Sequence, residues 1–170
     1  SIIVTNRGTL PPGPVVINEW MADNAGPGGL ADPGDGSFQD WIELYNPNDV
    51  AVNLSGFYLT DTLSLPTKWQ MPSNTVIAPR GFLLVWADGD TAQNGLGTNG
   101  DVHASFSLSK GGEAIGLYAS DSTPQHTITF GSQTQNVSQG LFPDGNTNAV
   151  YSMPNWSPRA GNRLGAPPSP

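Results

Sequence analysis

The groups in this sequence best suited to chemistry are carboxylates, gathered in two glycine-rich loops. Asp88, Asp90 and Asp101 bracket DGDTAQNGLGTNGD, with Asn94 and Asn99 between them, and ADPGDGSFQD carries Asp32, Asp35, Ser37 and Asp40. Calcium takes six to eight oxygens from carboxylates, amides and backbone carbonyls. Both loops are therefore candidate calcium sites, with Asp88, Asp90, Asp101, Asp32 and Asp35 as the charged ligands. The calcium-hand spacing is not met, because Ala92 stands where a third ligand belongs. The competing assignment is turn chemistry, in which Asp and Asn bond their own backbone.

A second constellation is aromatic. There are five tryptophans, and flat aromatic faces stack on sugar rings while neighbouring polar groups fix the hydroxyls. In DWIELYNP, alternation puts Trp41, Glu43 and Tyr45 on one side and Ile42 and Leu44 on the other. The aliphatic side is assigned to the core. Trp41, Tyr45, Trp69 and Glu43 then make a candidate glycan platform, with Trp20 expected on the same outer side. Trp86 and Trp156 are assigned to packing, the latter pinning the C-terminal tail. The alternative for each aromatic is that it covers an edge of the fold.

Other matches carry less. Glu19 and Glu43 would be an acid and base of glycoside hydrolysis only if they flanked a cleft about 5–10 Å wide, and the chain has no insertion to build one. Gly95, Gly97 and Gly100 fit a dinucleotide fingerprint by letter, but a strand-like DVHASFSLS follows where a helix is required. Ser107 and Lys110 fit S-x-x-K, yet Gly111-Gly112 ends the segment at once, which reads as a hairpin turn. Neither histidine lies near a nucleophile elbow. His103 begins a strand and His126 precedes TITF, so both are placed at the surface or a strand edge. No enzyme is expected.

The elements that must position these residues are strands. The chain holds 21 Gly and 16 Pro in 170 residues, too many for a helix bundle. Fifteen aromatics and only 12% charged residues argue against disorder. Strands are expected at 15–21, 41–45, 52–59 with a bend at Gly56, 75–77, 81–87, 103–108, 114–118, 127–130 and 137–142. About nine strands suit an all-β, immunoglobulin-like two-sheet β-sandwich. Phe106, Leu108, Ile115, Leu117, Ile128 and Phe130 share the core parity, and 81–87, the most apolar strand, should be central. Residues 1–14, a strand-like piece and a Pro-rich spacer, and 163–170, again Pro-rich, read as linkers around a domain at 15–162. The net charge of −8 makes nucleic acid a poor partner. The longest apolar runs are far too short for membrane insertion. There is no cysteine, hence no disulfide or thiol chemistry. With no initiator Met or signal peptide, Ser1 is expected to begin an excised fragment.

The segments VINEWMADN, DWIELYNP, VNLSGFYLTD, PRGFLLVWAD, HASFSLSKGGEAIGLY and VSQGLFPDG occur in that order. Together they closely resemble the bacterial form of the lamin tail domain, from about Val15 to Asn162. The resemblance implies an immunoglobulin-like sandwich and a non-catalytic module of a larger exported bacterial protein, its partners the neighbouring domains. In a bacterial setting the N-x-S sequons at Asn53, Asn136 and Asn155 are idle. The loop 88–103 is longer than the family requires. The expected role is structural or interactive, at the cell surface or outside it. The alternative is carbohydrate binding, with calcium as a candidate aid.

Overall fold

A computed structural model describes residues 13–93 and 100–165. Asn94, Gly95, Gly97, Asn99, residues 1–12 of the expected N-terminal piece and spacer, and residues 166–170 of the expected C-terminal linker lie outside the described residues. In chain order the strands are β1 (Val16–Met21), β2 (Asp40–Tyr45), β3 (Val52–Asn53), β4 (Tyr58–Thr60), β5 (Trp69–Gln70) and β6 (Val76–Ile77). They continue with β7 (Phe82–Ala87), β8 (Val102–Ala104), β9 (Gly112–Tyr118), β10 (Pro124–Gly131), β11 (Ser138–Leu141) and β12 (Val150–Met153).

The fold is all-β and immunoglobulin-like. One sheet runs β12-β11-β1-β2-β7-β8, a second runs β10-β9-β4-β5, and β3 pairs with β6 alone. The nine expected strands become twelve for two reasons. At Gly56 the backbone turns through φ +79°, and the segment leaves one sheet for another, so the expected strand 52–59 is really β3 and β4. Short strands such as β5 carry no period for alternation to reveal. Strand β7 is internal, paired with β2 on one side and in parallel with β8 on the other.

Between the two sheets lies the main core. Ile17, Trp20, Ile42, Leu44, Leu59, Trp69, Val85, Phe106, Ile115 and Leu117 are buried there, with Ile128 packed against them. The expected inner residues of β2, β9 and β10 are all present. Trp20, expected outside, is not outside. The register between β1 and β2 shifts between Ile17 and Glu19, so Asn18 is a bulge. One extra residue reverses the parity of everything after it. Glu19 and Met21 therefore face outward, opposite Glu43 and Trp41, and Trp20 turns in beside Ile42.

Candidate functional site

The outer face of the six-stranded sheet holds nearly every side chain with chemical potential. It is not open to solvent. Met21, Trp41, Leu84 and Trp86 form a second buried cluster, closed by Leu30 and Trp156. Val16, Tyr45 and Leu141 form a third, with Phe82 against them. Between these clusters sit Glu19 and Glu43, directly opposite one another across β1 and β2 and both fully buried.

The cover is the C-terminal segment after β12. Ser138 Oγ donates to Glu19 Oε1 at 2.5 Å, and Ser157 donates its N–H and Oγ–H to the same carboxylate at 3.2 Å. The Arg159 N–H donates to Glu43 Oε2. Arg159 adopts a left-handed backbone, φ +64°, and its guanidinium reaches Asp101, with Nε 3.1 Å from Oδ1. The segment is held at its far end by a polar clamp. Asn162 Nδ2 donates to the carbonyls of Asn18 and Leu141, while Asp144 Oδ1 accepts from Asn18 Nδ2 and Asn162 N–H. Gly140 permits this approach, because a Cβ there would stand 2.7 Å from Asn18 O and 2.8 Å from Asn162 Nδ2.

Two carboxylates opposed in a dry site cannot both ionise cheaply. Burial pushes the Glu43 carboxyl up to about 9, reinforced by Glu19 and Asp144 and opposed by the Arg159 N–H. Burial also raises Glu19, against the hydrogen bonds from Ser138 and Ser157. A raised acid beside a second acid is the electrostatic pattern of a proton-transfer pair. Here the segment carrying Ser157 and Arg159 occupies the space a substrate would need.

The expected glycan platform does not assemble. Trp41 lies in the cluster under Trp156, Tyr45 stacks on Phe82 at 4.9 Å in another, and Trp69 is in the main core on the opposite sheet. Glu43 is buried with its partners. The alternation of β2 is as expected, but a β-sandwich face can be buried by a chain segment that alternation does not see. Trp86 and Trp156 do pack as expected, and Trp86 Nε1 donates to Asp101.

The two acidic loops also sort differently from the expectation. Asp101 is taken by Arg159, 58 residues away, so it does not join Asp88 and Asp90. Asp90 accepts from Ala92 N–H and Gln93 Nε2, and Asp35 accepts from Ser37 N–H and Gln93 Nε2. These are turn and loop-bridging bonds. Asp32 and Asp88, which the sequence places in separate loops, meet instead at His103. Asp88 Oδ2 is 2.7 Å from His103 Nδ1 and Asp32 Oδ2 is 3.9 Å from it, with all three residues buried or nearly so. The loops are brought together because Asp88 directly follows β7 and His103 lies in β8, the parallel neighbour of β7. His126 is a strand-edge residue whose Nδ1 accepts the Ile17 N–H at 3.1 Å, and burial lowers its pKa.

Sequence reading missed Arg159 and Ser157. The signal available was weak: a Trp-Ser-Pro-Arg run after the last expected strand, in a tail that otherwise reads as spacer. Trp156, Arg159 and Arg163, with Leu30, Pro154 and Pro158, also line a cleft of about 590 Å³ on the surface of this segment.

An all-β, immunoglobulin-like module whose acid pair is sealed by its own chain is the class this geometry defines. The sequence matches the family model of the Lamin Tail Domain over residues 9–132. The chain therefore belongs to the lamin tail domain family, a family of non-enzymatic immunoglobulin-like domains. Among curated proteins no match accompanies it.

Proposed function

We propose that this domain is a non-catalytic module of a larger exported bacterial protein, where it displays or spaces neighbouring domains. One observation supports the reading above others: Glu19, Glu43, Trp41 and Trp86 are spent on closing the outer sheet face with the C-terminal segment. Groups placed in this way lie under the chain's own C-terminal segment, where a substrate does not reach them. The test is to replace the domain, inside its parent protein, by an unrelated sandwich. Neighbouring domains should keep their isolated activities while their attachment or presentation at the cell surface is lost. Turnover of a glycoside, ester or peptide by the intact domain, abolished by Glu43→Gln, would overturn the reading.

A glycan-binding alternative rests on a different aromatic from those expected. The cleft beside half-buried Trp156 combines a ring, prolines and two arginines, which suits an acidic sugar polymer. Quenching of tryptophan fluorescence by a uronic-acid polysaccharide, lost in Trp156→Ala, is the expected signature. No change with acidic or neutral polymers removes the alternative.

A further inference from the structure

We propose that Asp32, Asp88 and His103 bind one divalent transition-metal ion of the zinc class. The reasoning begins with an oxygen. Asp32 is 2% exposed, and its Oδ2 accepts no hydrogen bond among the described residues. A buried carboxylate oxygen left this way is costly unless a cation faces it. The polar group on hand is the imidazole, but Nδ1 carries at most one proton, and at 2.7 Å that nitrogen is engaged with Asp88. Asp32 Oδ2, at 3.9 Å, is beyond hydrogen-bond reach of the same nitrogen.

A metal ion resolves what one proton cannot. It accepts lone pairs from the nitrogen and both oxygens together. Zinc binds nitrogen and oxygen at about 2.0–2.2 Å, so tetrahedral ligand atoms stand about 3.3 Å apart. The observed separations of 2.7 and 3.9 Å straddle that value, and the three ligand atoms all lie within 4.8 Å of one another. Both carboxylates are already oriented by their other oxygen: Asp32 Oδ1 accepts from Gly34 N–H and Asp88 Oδ1 from Asp90 N–H. Asp32 is further fixed by backbone bonds with Ser37 and Gly36. Such outer contacts aim metal ligands in known sites. A water completes the tetrahedron.

The donor set also selects the ion. Imidazole nitrogen with two carboxylate oxygens suits zinc and its neighbours, whereas calcium takes six to eight oxygens. Bound metal would staple the loop carrying Asp32 to the ends of β7 and β8, on the face opposite the main core.

The test uses the full 170-residue chain, stripped with a chelator and titrated calorimetrically with zinc chloride, and separately with calcium chloride. One zinc per chain is expected, with a melting temperature raised by about 5–10 °C at a hundredfold excess over Kd. Cobalt substituted for zinc should give the visible absorption of a tetrahedral site. Asp32→Asn preserves shape and its Gly34 contact, and should weaken zinc at least about tenfold while the metal-free melting temperature and circular dichroism match the parent. His103→Ala should abolish binding. Absence of zinc binding at millimolar concentration would overturn the assignment, as would binding unchanged in Asp32→Asn or a calcium response that matches zinc. The cluster would then be a structural contact of one imidazole with two aspartates.

Discussion

The two faces of the six-stranded sheet are both buried, by opposite means. The inner face meets a second sheet, and its residues are aliphatic and aromatic: Ile17, Trp20, Ile42, Leu44 and Val85. The outer face meets irregular chain, chiefly the C-terminal segment, with Leu30 of the loop before β2 beside it. Its centre holds two glutamates, and the contact is made by hydrogen bonds from Ser157 and Arg159 as much as by Trp156. A sheet opposite a sheet excludes water everywhere and needs only shape. One strand-width of chain cannot cover a whole sheet face with apolar surface, so polar partners fix where it lies. The inner face should therefore respond to volume, and the outer face to volume and to protons.

The sharpest way to break that contrast is a large truncation on each side. Phe106→Ala on the inner side should cost about 3–5 kcal/mol, and Leu84→Ala on the outer side about 2–5 kcal/mol, because each leaves a cavity in a packed cluster. Phe106 is 5% exposed and Leu84 1%. Urea unfolding measures both. A cost below about 0.5 kcal/mol for Leu84→Ala would show that the C-terminal segment does not close over it.

Next in size is pH. Burial pushes the Glu43 carboxyl up to about 9 from an ordinary 4.5, and the Asp40 carboxyl up to about 6 from 3.8. A carboxyl raised on folding holds its proton better in the native state, so stability is greatest below the unfolded value and is lost as pH rises. From pH 5 to 9 the melting temperature should fall, with a free-energy change on the order of several kcal/mol. His126 opposes this only at the acid end. Its lowered pKa means the native state prefers it neutral, so stability is lost as pH falls through the unfolded value near 6.5 and below. Glu43→Gln should reduce the slope between pH 5 and 9 to what Asp40 and Glu19 contribute, while the cost of Phe106→Ala should be the same across that range. A slope unchanged in Glu43→Gln would place the effect elsewhere.

Smaller again is the clamp. Asn162→Ala removes two hydrogen bonds to the carbonyls of Asn18 and Leu141, and should cost about 1–3 kcal/mol. Hydrogen exchange should rise in the C-terminal segment and at Asn18 but not in β9 or β10. The smallest effect expected is Arg159→Gly, near 1 kcal/mol. Glycine relaxes the left-handed backbone while the loss of the guanidinium uncovers Asp101. Arg159→Ala, keeping the backbone cost, should be worse than Arg159→Gly.

The inner face was legible in the sequence because its rule is local. Ile42 and Leu44, or Ile115 and Leu117, announce their side by alternation alone, and the ordered strand segments carried the resemblance to the family. Where one residue breaks the count, as at Asn18, the sequence does not announce the side, and Trp20 is inside where it was expected outside. The outer face is not local. Its burial depends on Ser157 and Arg159 returning across more than a hundred residues to Glu19 and Glu43, and no period links them. The acidic loops fail for the same reason: Asp101 is nearer in sequence to Asp88, yet its partner is Arg159. Asp32 and Asp88 were recognised as ligand types, but their meeting at His103 is a property of the folded sheet.

Asn162 has one further consequence, which is mechanical. Its amide rests on Asn18, in the strand by which the chain enters the sandwich, so the path in and the path out are tied at one point. If tension were applied through both flanking segments, it would pass from β1 through the Asn18–Asp144–Asn162 clamp and bypass the packed core. The C-terminal segment would peel first, releasing a short length of slack while the two sheets stayed closed. Only after that would the strands bear load. Under such a load the clamp, and not the packed core, would set the first yield point of the domain.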